Sequence, residues 1–248
     1  MRNPRLYIDI PLTVGSTVEL SADAFGHAIR VLRLKQGDQI TLFNGQWHDG
    51  EALDFNARLT EVTKKTASAT LESSTVINSE SPVSIHLGQG ISRGDRMDFT
   101  LQKSVELGVS QITPIFTERC GVKLSGERLA KKVDQWQKIV ISACEQSGRA
   151  IVPKVNEPLT YQQWLANDRD ELKLNLHPKA TQSIMTLPMD TQSVQLLIGP
   201  EGGLSDEEIQ LANDAGYQDV LLGPRVLRTE TAALTAITAL QCRLGDLA

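Results

Sequence analysis

The sequence lacks the long apolar run that a transmembrane helix needs. No segment approaches the roughly 18 consecutive apolar residues that cross a bilayer. The N-terminal segment MRNPRLYIDIPL contains no sustained apolar stretch of the kind that a signal peptide has. We therefore expect no membrane span and no signal peptide, and we expect the protein to reside in the cytoplasm.

Cysteine is scarce, and its spacing argues against two kinds of site. The three cysteines, Cys120, Cys144 and Cys242, lie far apart with no C-x-x-C pair. Neither a disulfide framework nor a cysteine zinc site is expected from that spacing. We predict three buried thiols in a reducing compartment. The four histidines are equally scattered, and no metal site is expected.

Motifs of several common enzyme classes are also absent. The chain has no P-loop, no H-E-x-x-H, no G-x-S-x-G and no EF-hand loop. The run GQGISRG at residues 88–94 resembles a dinucleotide-binding fingerprint. However, its third glycine comes one residue late, and no acidic residue ends a second strand at the required distance. A nicotinamide-dependent oxidoreductase is therefore disfavoured.

Charge is distributed unevenly along the chain. The net charge is −5, yet residues 91–154 contain 11 Lys and Arg against 7 Asp and Glu, and residues 155–221 contain 3 against 11. A basic middle segment in an acidic protein is compatible with an RNA-binding face. The alternative is that solvated helix faces simply differ in sign.

The chain divides into two parts with different periodicity. Residues 1–72 contain short alternating strands and one helix that begins at Ser21, which together predict a small β-barrel. Residues 73–82, SSTVINSESP, are polar, end in proline and are predicted to be a linker. From residue 83 to residue 248, strands alternate with helices, including a strand over residues 171–176. This alternation predicts an α/β domain with a mostly parallel sheet.

The strongest local signal is a glycine-rich turn. Residues 196–204, LLIGPEGGL, lead from an apolar strand into a loop with three glycines, and a capping box at Ser205 then begins a helix. Ligands of α/β sheets bind beyond the carboxyl ends of the strands, where glycine lets the backbone approach closely. A tight turn alone needs fewer glycines, so their density favours a ligand. The lack of lysine disfavours a triphosphate.

A second turn of the same kind follows. Residues 220–231, VLLGPRVLRTET, lead from an apolar strand through Gly-Pro to a helix start with two arginines and a glutamate after the turn. A salt-bridged helix N-terminus would account for these charges, but arginine is poorly placed at the positive end of a helix dipole. The arginines therefore suggest that an anion such as a phosphate binds there, or that Glu230 orients one of them.

In content and order, these motifs are similar to those of the RsmE family of 16S ribosomal RNA uridine-N3 methyltransferases, which are SPOUT-class enzymes. The resemblance covers essentially the whole chain. Besides the two turns, the motifs that carry it are HAIRVLR (27–33), SRG (92–94), QKSVELG (102–108), ERC (118–120), EQSGR (145–149) and NLHP (175–178).

The resemblance implies a fold and an activity. It implies a PUA-like RNA-binding barrel over residues 1–72, followed by a SPOUT domain over residues 83–248 with helices on both faces of the sheet and a trefoil knot. It also implies a homodimer that uses S-adenosylmethionine, without a metal, to methylate N3 of one uridine in the 16S rRNA of the small ribosomal subunit. Two alternatives remain: SPOUT methylation of another base or a ribose 2′-hydroxyl, and a non-catalytic RNA-binding or assembly protein.

Methylation of uridine N3 makes demands that predict catalytic residues. The base must be exposed, the N3 proton must leave, and charge developing on O2 and O4 needs stabilisation. Arginine can donate two parallel hydrogen bonds. We therefore expect Arg228 to polarise the base or fix a phosphate, with Glu230 holding it. In the alternative, Glu230 is itself the proton acceptor.

The remaining expected site residues fall into two groups. The cofactor-binding residues are expected to be Leu176, His177, Ile198, Gly199, Glu201, Gly203, Leu222, Gly223, Leu227 and Thr231. Arg30 and Arg33 are expected to share one face of the first-domain helix and to contact RNA phosphates. The other expected RNA contacts are Arg93, Lys103, Arg119, Arg149 and Arg225.

Overall fold

The structure is a computed structural model that describes residues 3–167 and 172–247. Its residues group into two compact units. One unit comprises the chain up to Glu80 together with Cys144–Val152, and the other comprises Ser81–Ala143 and the chain from Pro153 onward. The grouping of Cys144–Val152 with the N-terminal segment has no counterpart in the sequence pattern.

The first unit is built on a six-stranded sheet around an aliphatic core that includes Leu6, Ile40, Leu59 and Leu71. Its strands are β1 (Arg5–Tyr7), β2 (Thr17–Glu19), β3 (Gln39–Phe43), β4 (Trp47–His48), β5 (Glu51–Val62) and β6 (Ala67–Val76). The order is β1-β3-β5-β6-β2, with β4 beside β5. β1 and β3 run parallel, and the other neighbouring strands run antiparallel.

The predicted linker is wrong for its first four residues. β6 continues to Val76, which pairs with Leu53 of β5, so residues 73–76 belong to the sheet. Their side chains are exposed, which explains why the segment is polar. Backbone pairing, rather than side-chain burial, holds this end of the strand.

The predicted first-domain helix has two parts. Ser21 caps α1 (Ala22–Phe25) by accepting a hydrogen bond from the Ala24 amide at 3.2 Å, and a π-helix, Gly26–Val31, follows directly. Arg33 lies beyond the π-helix with a left-handed φ of 57°. The prediction that Arg30 and Arg33 share a helical face is therefore wrong, because the wider turn changes the register and the helix ends before Arg33.

The second unit contains an eight-stranded sheet in which every neighbouring pair runs parallel. Its strands are β7 (Ser84–Gly90), β8 (Gln111–Phe116), β9 (Lys154–Val155), β10 (Leu159–Thr160), β11 (Leu172–Leu176), β12 (Gln182–Ser183), β13 (Ser193–Ile198) and β14 (Gln218–Leu221). The order is β10-β8-β7-β13-β11-β14-β12, with β9 beside β8. The strand predicted from residue 171 is observed from Leu172, and Glu171 lies outside the described residues.

Helices cover both faces of this sheet, as expected. They are α2 (Asp95–Glu106), α3 (Gly126–Ser147), whose last turn belongs to the first unit, α4 (Tyr161–Leu165), α5 (Asp206–Asp214) and α6 (Thr229–Leu244). On one face of β7, the His86 ring lies 4.8 Å from the Trp164 ring of α4. On the other face, Gln89 reaches Thr229 at the start of α6.

The fingerprint-like glycines of residues 88–94 serve packing. A Cβ atom at Gly88 would lie 2.4 Å from the Trp164 ring, and one at Gly90 would lie 2.5 Å from the Pro200 nitrogen. These glycines allow close contact between elements of the domain, which accounts for their presence without a dinucleotide.

Three further expectations concern cysteines, membranes and the knot. All three cysteines are free, but Cys242 is exposed and Cys120 is half-buried, so the prediction of three buried thiols holds only for Cys144. Among the described residues, no helix combines the length and apolar character needed to cross a membrane. The trefoil knot stays a prediction.

Candidate active site

A cavity of about 480 Å³ opens in the second unit, where the parallel strands end. Since parallel strands all end at one edge of the sheet, the loops that follow them lie together there. The cavity wall is formed by residues 176–179, 198–204 and 221–223 and by residues 225–230. The glycine-rich turn (196–204) and the second turn (220–231), called the arginine-rich turn below, are separate in the sequence, but they face the same cavity.

The structure places almost all of the predicted cofactor-binding residues around this cavity. The residues in its wall are Leu176, His177, Ile198, Gly199, Glu201, Gly203, Leu222, Gly223 and Leu227. Thr231 is the exception. It is exposed on α6, and its carbonyl accepts a hydrogen bond from the Thr235 hydroxyl at 2.7 Å. The helix turns by about 100° per residue, which carries Thr231 away from the wall.

Backbone geometry requires glycine at two positions of the glycine-rich turn. Gly203 has a φ of +67° and donates its amide hydrogen to the Pro200 carbonyl at 2.9 Å. A Cβ atom at Gly199 would lie 3.0 Å from the Leu204 nitrogen, because the turn folds back on its own start. A left-handed backbone and a close approach both favour glycine, and both of these glycines line the cavity.

Charged side chains in the cavity wall hold this turn in place. The Glu201 carboxylate accepts hydrogen bonds from the Arg93 amide at 2.8 Å and from the Arg96 guanidinium at 3.3 Å. Arg119 donates to the carbonyls of Gly202 and Leu204, each at 3.3 Å. Glu201, predicted to bind cofactor, and Arg119, predicted to bind RNA, therefore both brace the turn. Arg96 was not predicted.

Arg228 and Glu230 both line the cavity, but they do not pair. Arg228 is the exposed N-cap residue of α6. Glu230 is half-buried, and its Oε2 atom is buried without a hydrogen-bond partner in the described chain. Within the described residues, no hydrogen bond or ion pair joins the two side chains. The expectation that Glu230 holds Arg228 is therefore wrong. Arg228 has the extended backbone of an N-cap residue, with ψ at 155°, whereas Glu230 lies in the first turn of the helix.

The cavity mouth carries unpaired positive charge. Two of the cations that line the cavity have acidic partners: Lys179 lies 3.9 Å from Asp206, and Arg96 lies 3.3 Å from Glu201. In the part of the chain that the structure describes, no acidic side chain lies within ion-pair distance of Arg225 or Arg228. Both arginines are exposed, so the mouth can accept an anionic group.

The remaining predicted RNA contacts do not line this cavity. Arg30 and Arg33 are exposed in the first unit, and Arg93 is exposed beside Gly121. Lys103 forms an ion pair with Glu106 at 2.7 Å. Arg149 is buried and its guanidinium pairs with Glu80. The prediction for Arg149 is wrong, because contact with a phosphate would require breaking a buried ion pair.

The site also contains Thr229 and Gln89, two buried residues that were not predicted. Thr229 donates to the Gly199 carbonyl at 2.6 Å and accepts from Gln89 at 2.9 Å. Their partners lie far away in the sequence, so no local pattern could have indicated them. Among the described residues, no group of three or more His, Cys, Asp or Glu side chains could hold a metal ion.

Comparison with known proteins identifies the family. A family model described as the RNA methyltransferase domain matches residues 79–241, and one described as the RNA methyltransferase PUA domain matches residues 20–72. Ribosomal RNA small subunit methyltransferase E of Buchnera aphidicola (from Schizaphis graminum) is 40% identical over 247 residues, which are 99% of this chain and 98% of the relative. The chain belongs to the ribosomal RNA small subunit methyltransferase E family.

Two solved structures extend this family relationship. Ribosomal RNA small subunit methyltransferase E from Neisseria gonorrhoeae, bound to S-adenosylmethionine, matches with a TM-score of 0.94 and 44% identity. A Legionella pneumophila protein in complex with the bound cofactor SAM matches with a TM-score of 0.95 and 46% identity. Both matches cover 100% of each chain. The expected PUA domain and methyltransferase α/β domain are thus confirmed.

Proposed function

We propose that this protein uses S-adenosylmethionine to methylate N3 of one uridine in the 16S rRNA of the small ribosomal subunit. The observation that carries the proposal is the meeting of the glycine-rich and arginine-rich turns around one cavity. The names of the relatives and the cofactor bound in the Neisseria gonorrhoeae structure support it.

The cavity fits S-adenosylmethionine in size and in chemistry. Its volume of about 480 Å³ lies within the range of roughly 300–1,000 Å³ typical of small-molecule sites. The apolar side chains of Leu176, Ile198, Leu222 and Leu227 would pack against the adenosine, and the main chain at Gly199 and Gly203 would supply hydrogen-bonding groups without steric obstruction. When bound, the cofactor supplies an electrophilic methyl group on a sulfonium.

Glu230 is the candidate proton acceptor. The uridine N3 proton must leave before or during methylation, and a carboxylate near that atom can take it. Glu230 lines the cavity, and its buried Oε2 atom has no partner among the described residues. An unpaired buried acceptor is costly unless a ligand completes it. This favours the proton-acceptor role over the role of holding Arg228.

Arg228 and Arg225 are the candidate contacts to the RNA at the cavity mouth. A guanidinium can stabilise charge on uridine O2 or O4, or it can clamp a backbone phosphate through two hydrogen bonds. Arg228 directly precedes the helix turn that contains Glu230 and is assigned to the base. Arg225 is exposed on the turn and is assigned to a phosphate.

The proposal includes an RNA contact by the first unit and a homodimer. Arg30 and Arg33 are exposed on and beside the π-helix of that unit, and no acidic side chain in the described chain lies within ion-pair distance of either. They are the first residues to substitute in a test of RNA affinity. Light scattering coupled to size-exclusion chromatography would measure the oligomeric state, and a monomer at micromolar concentration would argue against the dimer.

One experiment separates this activity from its alternatives. The protein is incubated with labelled S-adenosylmethionine and small ribosomal subunits from cells that lack the activity, and the modified nucleoside is identified and mapped. A single N3-methyluridine in 16S rRNA is the expected product. A ribose 2′-O-methyl group or another methylated base would replace the proposed substrate. Cofactor binding without transfer to subunits or to free rRNA would favour a non-catalytic RNA-binding protein.

A further inference from the structure

A chain of hydrogen bonds links three segments at the base of the cavity. Thr229, the first residue of α6, is buried, and its hydroxyl lies 2.6 Å from the Gly199 carbonyl and 2.9 Å from Nε2 of Gln89. The same Nε2 lies 3.0 Å from the Gly90 carbonyl. The end of β7, the glycine-rich turn and the start of α6 are therefore tied together through two side chains.

The direction of each bond follows from chemistry. The Gly199 carbonyl can only accept, so the single hydroxyl proton of Thr229 must be donated to it. Thr229 must then accept a hydrogen from Gln89, which fixes the side-chain amide with Nε2 toward Thr229. The opposite oxygen, Oε1 of Gln89, is fully buried and has no partner in the described chain. Leaving a buried acceptor unpaired is costly. The cost is offset by the two hydrogen bonds that Nε2 of Gln89 donates, to the Gly90 carbonyl and to the Thr229 hydroxyl.

We propose that Gln89 and Thr229 are positioning residues that fix the glycine-rich turn and the first turn of α6 relative to each other. The bond to Gly199 orients the peptide group that begins the cavity wall. Because Thr229 is anchored on the side of Gly199, its neighbours Arg228 and Glu230 are kept on the cavity wall. The consequences for methyl transfer rest on the proposed function, but the effect on the turn does not.

The first test compares three threonine variants. Thr229→Val removes the hydroxyl with little change in shape, and Thr229→Ser keeps it. Thr238→Val is the matched control, because Thr238 lies on the same helix, donates to the Leu234 carbonyl at 2.8 Å and does not line the cavity. Calorimetry with S-adenosylmethionine should give a dissociation constant that rises roughly ten-fold for Thr229→Val and less than about three-fold for the other two.

The second test applies the same comparison to glutamine. Gln89→Met removes the donated bonds. Gln241→Met is the control. Near the far end of α6, it removes a part-buried bond to the Leu107 carbonyl and one accepted from the Ser81 hydroxyl. Both variants should lower the melting temperature, but only Gln89→Met should weaken cofactor binding. If the two variants have equal stability and bind the cofactor with equal affinity, Gln89 contributes only to stability, and the proposal is overturned.

A readout without cofactor keeps the inference separate from the proposed function. Amide hydrogen exchange of residues 199–204 and of the first turn of α6 should accelerate in Thr229→Val and remain unchanged in Thr238→Val. If the parent protein neither binds the cofactor nor methylates RNA while this exchange difference persists, the proposed function fails and the positioning role stands. Unchanged exchange in Thr229→Val, or no rescue by Thr229→Ser, overturns the positioning role whatever the activity.

Discussion

Arg228 and Glu230 flank the buried Thr229 and both line the cavity, but they form no ion pair with each other. The Arg228 side chain is exposed, and the Glu230 side chain has a buried oxygen without a partner among residues 3–167 and 172–247. This separation means that neither side chain depends on the other for its position, so each substitution tests one residue on its own.

Replacing Glu230 should affect chemistry more than cofactor binding. Glu230→Gln keeps the size of the side chain but cannot accept the N3 proton. We expect the single-turnover rate of methylation to fall by roughly 10²-fold or more, while the dissociation constant for S-adenosylmethionine changes by less than about three-fold. A variant whose rate stays near that of the parent would eliminate Glu230 as the proton acceptor.

Replacing Arg228 should also lower turnover far more than cofactor affinity. Arg228→Ala removes the donated hydrogen bonds, and Arg228→Lys keeps the charge but loses the planar pair of donors. We expect alanine to reduce kcat by roughly 10²-fold or more, with lysine in between. Arg128→Ala, on the exposed surface of α3, is the control. The assigned role is wrong if cofactor binding collapses while turnover per bound cofactor survives.

The meeting of the two turns could be predicted because it depends on local sequence patterns. Each turn follows an apolar strand, and the ends of parallel strands share one edge of the sheet. The residues at 198–204 and 222–230 therefore carried enough information to predict a common pocket. Thr231 shows the limit of this inference, since its orientation depends on where the helix begins.

Long-range pairings could not be predicted from local patterns. Gln89 and Thr229 are 140 residues apart, and Arg149 and Glu80 are 69 apart. In a single sequence, nothing distinguishes Arg149 from a surface cation. Its buried partner, Glu80, comes close only in the folded chain. The π-helix likewise could not be predicted, because the sequence HAIRVLR suits an ordinary α-helical turn.

Arg149 should therefore matter for stability rather than for RNA affinity. Arg149→Ala leaves the mostly buried Glu80 carboxylate without its partner, and removing one member of a buried pair costs about 3–5 kcal/mol. We expect the urea midpoint of Arg149→Ala to fall well below that of the parent. Replacing both residues, as in Glu80→Leu with Arg149→Met, should recover much of the loss. RNA affinity that falls while stability is unchanged would restore the RNA-contact assignment.

The cysteines should differ in reactivity because of their burial. Burial raises the pKa of the Cys144 thiol to about 12, against the opposing effect of the nearby Arg149 and Arg5 charges. At pH 8 this thiol is protonated and shielded, whereas Cys242 is exposed. A thiol reagent followed by peptide mass spectrometry should label Cys242 in the native protein and Cys144 only after unfolding. Early labelling of Cys144 would show that its surroundings open readily.

Glu145 should give the first unit an acid-side pH dependence of stability. Burial raises the pKa of this carboxyl, and the Tyr7 amide, His27 and Arg5 oppose the shift only in part. Because the folded state then holds the proton more tightly than the unfolded state, stability falls as pH rises from the unfolded pKa of about 4.3 through the folded pKa. Glu145→Gln removes this ionisation but keeps an oxygen that can accept the Tyr7 amide hydrogen, which the parent accepts at 3.0 Å. The variant should therefore gain stability relative to the parent as pH rises from 4 to 7, measured by urea unfolding at each pH. A difference that is constant with pH would mean that the carboxyl titrates alike in both states.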